Sequence, residues 1–230
     1  MGEAKNIQLI IPAYNEADSI GLVVRDVPRE WVRQIIVVNN NSNDDTVAVA
    51  QAAGATVLTE QRRGYGQACL TGLDYVRQNG GCDIVVFLDG DYSDYPQEMG
   101  TILQPILNGQ ADMVIGCRTK ANREPGSMTP QQVFGNWLAV LLIRLLFKHR
   151  YTDLGPFRAI TWTALEKINM QDTNYGWTVE MQVKALKLGL RCVDVPVHYR
   201  RRIGVSKVSG TVKGTIMAGY KIIKTIFKYA

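Results

Sequence analysis

Residues 84–91 read Ile84-Val85-Val86-Phe87-Leu88-Asp89-Gly90-Asp91, and this stretch decides the fold. Its consecutive apolar residues predict a strand covered on both faces, because a strand with one wet side would alternate. Comparable runs stand at 7–11, 35–38, 56–58 and 113–115. Helical patterns fill the gaps at 17–27, 44–53, 66–78 and 96–108. Strand–helix alternation of this kind predicts an α/β fold in three layers, with a mostly parallel central sheet and helices on both faces. Right-handed crossovers then gather the strand C-termini on one edge, where ligands of such sheets bind. That edge is polar throughout. Pro12-Ala13-Tyr14-Asn15-Glu16 follows the first run, Asn39-Asn40-Asn41-Ser42 the second, Asp89-Gly90-Asp91 the fourth and Gly116-Cys117-Arg118 the fifth.

The chain has 230 residues, 46% hydrophobic and 20% charged, which suits one globular domain and excludes disorder, collagen and coiled coil. Mean hydropathy is −0.07, too low for a polytopic membrane protein. The formal charge of +5 points to an anionic partner or to a slightly basic solvated surface. No basic block interleaved with stacking aromatics is present, which argues against nucleic acid. The four cysteines form no CxxC pair, so they read as isolated thiols in a reducing compartment. The N-terminus lacks the apolar run of a secretory leader. The longest apolar stretch, 137–147, is interrupted by Arg144 and falls short of the roughly 20 residues of a spanning helix. A cytoplasmic protein is expected.

The second half changes character. Residues 119–130 read as a polar loop, 131–149 as a helix apolar nearly all round, 151–163 as a turn with short strands, 177–188 as an amphipathic helix and 191–197 as a strand. The helix at 133–147 fits a membrane-side or subunit interface as well as a core. The last helix, 211–229, sets Lys221, Lys224 and Lys228 beside an apolar stripe of Ile216, Tyr220, Ile223 and Phe227. It reads either as a helix lying on the cytoplasmic face of an anionic bilayer or as one packed on the domain with its lysines in water. Gly64-Tyr65-Gly66 does not complete a GxGxxG pattern, since Cys69 takes the third place, so a nicotinamide or flavin fingerprint is absent.

Two constellations carry chemistry. Asp89 and Asp91 follow a buried strand directly, and carboxylate oxygens suit Mg²⁺ or Mn²⁺. A divalent ion there would bridge to a diphosphate leaving group. The same stretch also reads as a cap, with Ser93 or Asp94 starting the next helix. Glu16, after Pro12-Ala13-Tyr14, reads either as a base or ribose contact or as an acid favoured at a helix N-terminus.

Taken in order, PAYNE (12–16), VVNNNSNDDT (37–46), RRGYGQACLTGL (62–73), FLDGDYSDYP (87–96) and ADMVIGCR (111–118) resemble the family 2 inverting glycosyltransferases of GT-A fold. TDLGPFRAI (152–160), NYGWTVEMQ (174–182) and VPVHYRRRIGVSK (195–207) are similar to the polyprenyl-phosphate subgroup, with its dolichyl-phosphate mannose and glucose synthases. The resemblance covers nearly the whole chain. It implies that residues 1–118 bind a nucleotide-sugar donor, UDP- or GDP-hexose, and that 119–230 form the acceptor side for a lipid phosphate. Pro12, Ala13, Tyr14 and Glu16 would line the base and ribose pocket. Asp89 and Asp91 would be the DxD pair, and Gly64 and Gly66 would let a loop pack closely near the donor. Asp153, Gly155 and Arg158 would belong to the acceptor motif, Glu180 would face sugar and acceptor, and Arg201, Ser206 and Lys207 would match an R-x-x-G-x-S-K phosphate element.

Asn39, Asn40 and Asn41 stand where the family usually carries two aspartates, which removes negative charge near base and ribose. Ser93 replaces the Gln that mannose synthases tend to have after DxD. Arg118 reads as a phosphate contact or as a surface ion pair. An acceptor hydroxyl would need a base, with Asp153 and Glu180 as candidates, whereas an ionised phosphate acceptor needs none. The rivals are the same transfer to a soluble or glycan hydroxyl, a nucleotidyltransferase, which would carry a Gly-rich signature after the first strand, and a non-catalytic nucleotide-sugar binding module.

Overall fold

In the computed structural model, which describes residues 5–206 and 212–230, seven strands form one sheet. They are β1 (Ile7–Ala13), β2 (Gln34–Asn39), β3 (Thr56–Thr59), β4 (Ile84–Phe87), β5 (Met113–Cys117), β6 (Arg158–Thr161) and β7 (Cys192–Pro196), in the order β3-β2-β1-β4-β6-β5-β7. All pairings are parallel except those of β6, which runs antiparallel to β4 and β5. The α/β expectation of a mostly parallel sheet is met.

Period-two geometry sorts each buried strand between two cores. Leu9, Ile11, Val86 and Val114 face one layer, made by α1 (Ala17–Asp26), α2 (Thr46–Ala52) and α4 (Met99–Leu107). Ile10, Val85, Phe87, Met113 and Ile115 face the other, made by α3 (Tyr65–Gln78), α5 (Pro130–Phe147), α6 (Trp162–Ile168), α7 (Trp177–Lys187) and α8 (Val212–Tyr229). Helix α6 begins in the last two residues of the stretch expected as a turn with short strands, 151–163, and continues through residues for which no element was expected. Seven residues are too few to show a helical period, but the Thr161 side chain accepts from the Ala164 N–H at its start and Asn169 ends it in the left-handed region.

Strand order reverses between β1 and β4, so the topological switch point lies where Ala13–Glu16 and Asp89–Asp91 emerge together. The antiparallel β6 adds to this edge. Its first residue, Arg158, pairs with Phe87 and Ile115, so the chain just before it, residues 153–157, lies at the C-terminal ends of β4 and β5. One strand of reversed direction therefore delivers the acceptor-side motif to the same edge as the carboxylate pair.

Arg158 itself is fully buried. Its Nε donates to the Gly155 carbonyl at 3.0 Å, Nη1 to Thr178 at 3.0 Å and Nη2 to Leu154 at 3.1 Å. Burial holds its pKa below the ordinary arginine value. The guanidinium thus ties the β6 entry to α7, and Arg158→Ala would leave several buried carbonyls unpaired. The expected loss is roughly 3–5 kcal/mol, read as a lower urea midpoint. Arg158→Lys should recover only part of it, since an ammonium lacks the planar fork.

Candidate functional site

The turns that follow β1 and β2 are fastened to each other. Asn15, at φ 53°, receives the Asn43 N–H on its side chain at 3.0 Å and donates its own N–H to Ser42 at 2.9 Å. Asn41, at φ 61°, takes the left-handed conformation that its short amide side chain tolerates. These turns leave Pro12, Ala13, Tyr14 and Glu16 on the wall of a cleft of about 330 Å³. Asn40, Gly64, Asp89, Asp91 and Ser206 line the same cleft. Asn40 is committed to the opposite wall: its amide donates to the Arg62 carbonyl at 2.7 Å and its oxygen accepts the Gly64 N–H at 2.8 Å. Asn39 lies below the cleft, capping the Ser42 N–H at 3.0 Å. The Arg63 guanidinium stands 3.7 Å over the Tyr14 ring at the mouth.

Asp89 accepts a hydrogen bond from the Tyr65 hydroxyl at 3.0 Å. Burial, and then the neighbouring Asp91, push its pKa up to about 6. Asp91 accepts the Ser93 N–H at 2.9 Å and pairs with Arg202 at 3.0 Å. Ser93 therefore braces the carboxylate pair and does not cap the next helix, and Asp94 does not either. The tight turn after β4 is made at Tyr92, at φ 63°, rather than at Gly90. A bulky residue there is strained. It is held by Arg200, 3.4 Å over its ring, and by its hydroxyl, which donates to Asp26 at 2.6 Å.

The chain after β7 runs back along this turn. The Arg200 N–H donates to the Ser93 carbonyl at 2.9 Å and the Ile203 N–H to that of Asp91 at 3.0 Å. The strap carries Arg202 into the cleft, where it also reaches Glu16 at 3.0 Å. The R-x-x-G register nominated Arg201, and the structure corrects this by one residue. Arg201 is exposed and donates to the Pro125 carbonyl at 2.9 Å, away from both cavities. Neighbours on an extended strap point to opposite sides, so a one-residue shift exchanges the arginine that enters. Lys207 lies outside the described residues.

Asp153 and Arg118 form a closed pair. Arg118 donates from Nε at 2.7 Å and from Nη2 at 2.8 Å, and its own N–H donates at 2.8 Å. Burial acts to raise the Asp153 carboxyl, but these charged donors overcome it and hold the group below the usual carboxylate range. Both Asp153 oxygens are thus engaged by charged donors in this structure. Glu180 is fully buried. It accepts from the backbone of Gln171 and Asp172 and pairs with Lys184 at 2.6 Å, so it does not face the cleft as expected. Arg158 likewise sits in the interior and lines neither cavity. Gly66 packs under the 172–174 backbone, where a Cβ would meet the Asp172 carbonyl at 2.0 Å.

A second cavity, of about 800 Å³, opens from the same carboxylates. Asp89, Asp91, Arg118 and Arg202 form its polar end, and Phe134, Leu138, Trp177, Ile222 and Ile223 extend it between α5 and α8. Residues missed in the sequence, Tyr65, Asn174 and Tyr175, line both cavities. Tyrosine and asparagine carry no local pattern that marks such a role.

Glu16, Asp89, Asp91, Asp94 and Asp153 gather around two guanidinium groups, Arg118 and Arg202. Both Asp94 carboxyl oxygens are buried without a hydrogen-bond partner. Burial and the nearby Asp89 push that group well above the carboxylate range. Among the described residues no three His, Cys, Asp or Glu side chains form a cage for an ion. Two hard carboxylates with open room beside them fit instead an Mg²⁺- or Mn²⁺-type ion completed by substrate oxygens. Asp89 and Asp91 would hold it.

Residues 8–169 match the model of glycosyl transferase family 2. An uncharacterised glycosyltransferase of Mycobacterium tuberculosis is 32% identical over 215 residues, covering 92% of this chain and 94% of the relative. Undecaprenyl-phosphate mannosyltransferase of Micrococcus luteus is 28% identical over 219 residues, covering 89% and 88%. Glucosyl-3-phosphoglycerate synthase of M. tuberculosis, solved with Mn²⁺, UDP and phosphoglyceric acid, matches with a TM-score of 0.79 at 21% identity, over 98% of this chain and 78% of that one. At that identity the likeness is one of fold.

Because the Asp89 proton is favoured in the folded, metal-free state up to about pH 6, its charge destabilises that state at higher pH. Asp89→Asn should therefore raise the unfolding free energy of the metal-free protein at pH 7.5, by about 1–2 kcal/mol. The wild type should gain the same increment as pH falls through about 6. Mn²⁺ must displace that proton, so its affinity should weaken up to roughly tenfold per pH unit below that point. Calorimetry and Mn²⁺ electron paramagnetic resonance at pH 5 to 7.5 check both signs.

Proposed function

The chain belongs to glycosyl transferase family 2 and is a glycosyltransferase, and on that premise we propose that it moves a hexose from a UDP- or GDP-sugar, with inversion, onto a polyprenyl phosphate. The observation that carries this reading is the continuity of the two cavities. A charged cleft suited to a nucleoside diphosphate opens into a long apolar groove at the carboxylate pair. A phosphate on an isoprenoid tail matches such a groove, polar at one end and greasy along its length.

In this reading residues 1–118 hold the donor, and 119–230 supply the acceptor side. Tyr14 and Arg63 flank the base, Glu16 meets the ribose, and Arg202 exchanges Asp91 for the departing diphosphate. Asp89 and Asp91 would hold an Mg²⁺ or Mn²⁺ ion, which would supply Lewis-acid charge to that leaving group. Arg118 keeps one guanidinium nitrogen that Asp153 does not use, and it lines the groove, where it orients the acceptor phosphate. An ionised phosphate oxygen attacks the anomeric carbon as the bond from that carbon to the diphosphate breaks. No proton has to be removed, in keeping with the engagement of Asp153 and Glu180.

Attachment to the cytoplasmic face of an anionic membrane belongs to the same proposal. Among the described residues no helix is long and apolar enough to cross a bilayer. Phe134, Trp137 and Leu145 on α5 and Ile216, Met217, Tyr220 and Phe227 on α8 are exposed, with Arg144 and Lys224 nearby in sequence. Apolar side chains among cations suit a headgroup region.

A panel of UDP- and GDP-hexoses with Mn²⁺ and polyprenyl phosphate in anionic vesicles tests the reading. Nucleoside diphosphate release should require the lipid phosphate and vanish in Asp91→Asn. Phe134→Ser with Trp137→Ser should lower kcat/KM on the long-chain acceptor by about tenfold, near 1.4 kcal/mol, and leave a water-soluble short-chain phosphate within twofold. Release driven equally well by phosphoglycerate or a glycan hydroxyl, with indifference to lipid phosphate, would establish the soluble-acceptor alternative.

A further inference from the structure

Helix α8 is joined to the cleft through the segment 171–176. Lys221 pairs with Asp172 Oδ2 at 2.9 Å. Tyr229, eight residues further along and thus on nearly the same face of the helix, donates its hydroxyl to Glu180 Oε1 at 3.0 Å. The other Glu180 oxygen accepts the Asp172 N–H at 2.6 Å. Asp172 closes the turn from within: its Oδ1 accepts the N–H groups of Asn174 at 2.8 Å and Gly176 at 3.1 Å. Gly176 leaves room for this, since a Cβ there would meet Asp172 Oδ2 at 2.4 Å and Thr225 Oγ1, on α8, at 2.7 Å.

The far side of the same turn carries the donor wall. The Thr173 carbonyl accepts the Gln67 N–H at 2.8 Å, in the first turn of α3. A Cβ on Gly64 would lie 2.1 Å from the Thr173 carbonyl oxygen, and one on Gly66 would lie 2.0 Å from that of Asp172. The glycine-containing turn and the 171–176 segment are therefore in backbone contact. Asn174 and Tyr175, which leave this segment, line both cavities.

We propose that Asp172, Glu180, Lys221 and Tyr229 form a latch whose closure on α8 sets the wall shared by the donor cleft and the acceptor groove. They are positioning residues for the transfer, because none of them lines either cavity and each acts through the backbone of 171–176 or of 64–67. The seat of α8 and the shape of the donor cleft are then one equilibrium, so whatever favours the seated helix favours the bound donor and the reverse. The consequence for turnover rests on the glycosyl transfer proposed above, whereas the mechanical coupling does not.

The test uses the full chain as Lys221→Met, Tyr229→Phe, the double variant and Lys221→Arg. Hydrogen exchange is read over residues 61–70, on the donor wall, and over 171–176. Urea unfolding gives global stability. In the double variant the amides of 64–68 should exchange about five- to tenfold faster, while the global midpoint accounts for less than that. Lys221→Arg should restore protection. With UDP-hexose and Mn²⁺, the donor KM should rise about five- to tenfold with kcat nearly kept. Unchanged exchange over 61–70, or a rise no larger than global unfolding explains, overturns the latch. Failure of the wild type to bind any nucleoside diphosphate sugar would instead defeat the assigned transfer, and the exchange data would still decide the latch.

Discussion

Carboxyl groups crowd the end of β4, and the surrounding described residues are arranged around them. Asp89 and Asp91 are two residues apart in the turn that follows a strand buried on both faces, so the backbone holds both at the wall of the cleft. Arg202 answers Asp91 and Glu16 together, and in doing so pins the strap after β7 against the turn after β4. Arg118 gives Nε and Nη2 to Asp153. The two Asp94 carboxyl oxygens are left buried with no hydrogen-bond partner. Such a cluster fits a divalent cation completed by substrate oxygens. The left-handed Tyr92, clamped between Arg200 and Asp26, shows backbone strain gathered at the same turn.

The engagement of Asp153 narrows the chemistry. A base for a hydroxyl acceptor must have a free lone pair and a pKa near the working pH. Asp153 has both oxygens in charged hydrogen bonds, and Glu180 is sealed in the interior. What the groove offers an acceptor at its polar end is guanidinium, which suits a group that is already an anion. The apolar remainder of the groove suits a tail. The proposed acceptor thus rests on two independent arguments, one electrostatic and one hydrophobic.

The fold was legible wherever local chemistry is strong. Continuous apolar runs located the five strands of the first half, and the polar residues after them marked the binding edge. The antiparallel sense of β6 carries no local signature, since direction in a sheet is decided by which neighbours remain unpaired. Among the expected site residues, Asp89, Asp91, Glu16 and the turn at Pro12–Tyr14 come together on one cleft because each follows the C-terminal end of a neighbouring strand. The choice among Arg200, Arg201 and Arg202 was not legible. Three identical side chains on an extended strap differ only in the side to which they point, and that phase is set by backbone pairing with residues 91–94. Glu180 was misplaced for a related reason: an acid in the first turn of a helix suits solvent, substrate or a buried cap equally well by sequence.

Helix α8 shows why amphipathicity alone underdetermines a role. Its lysines were read together as one cationic side. In the structure Lys221 turns inward to Asp172, while Lys224 is exposed. Ile222 and Ile223 line the groove, whereas Ile216, Met217, Tyr220 and Phe227 remain exposed. The helix therefore has three surfaces: one built into the cleft wall through 171–176, one that forms the acceptor groove, and one left for an apolar environment outside. A helix that only floated on a bilayer would not need Thr225 and Ile226 buried or a tyrosine hydroxyl delivered to a fully buried glutamate. Because the same rigid element carries all three surfaces, it cannot shift against a membrane without moving a wall of the site. That mechanical constraint ties the seat of α8 to the wall shared by the two cavities.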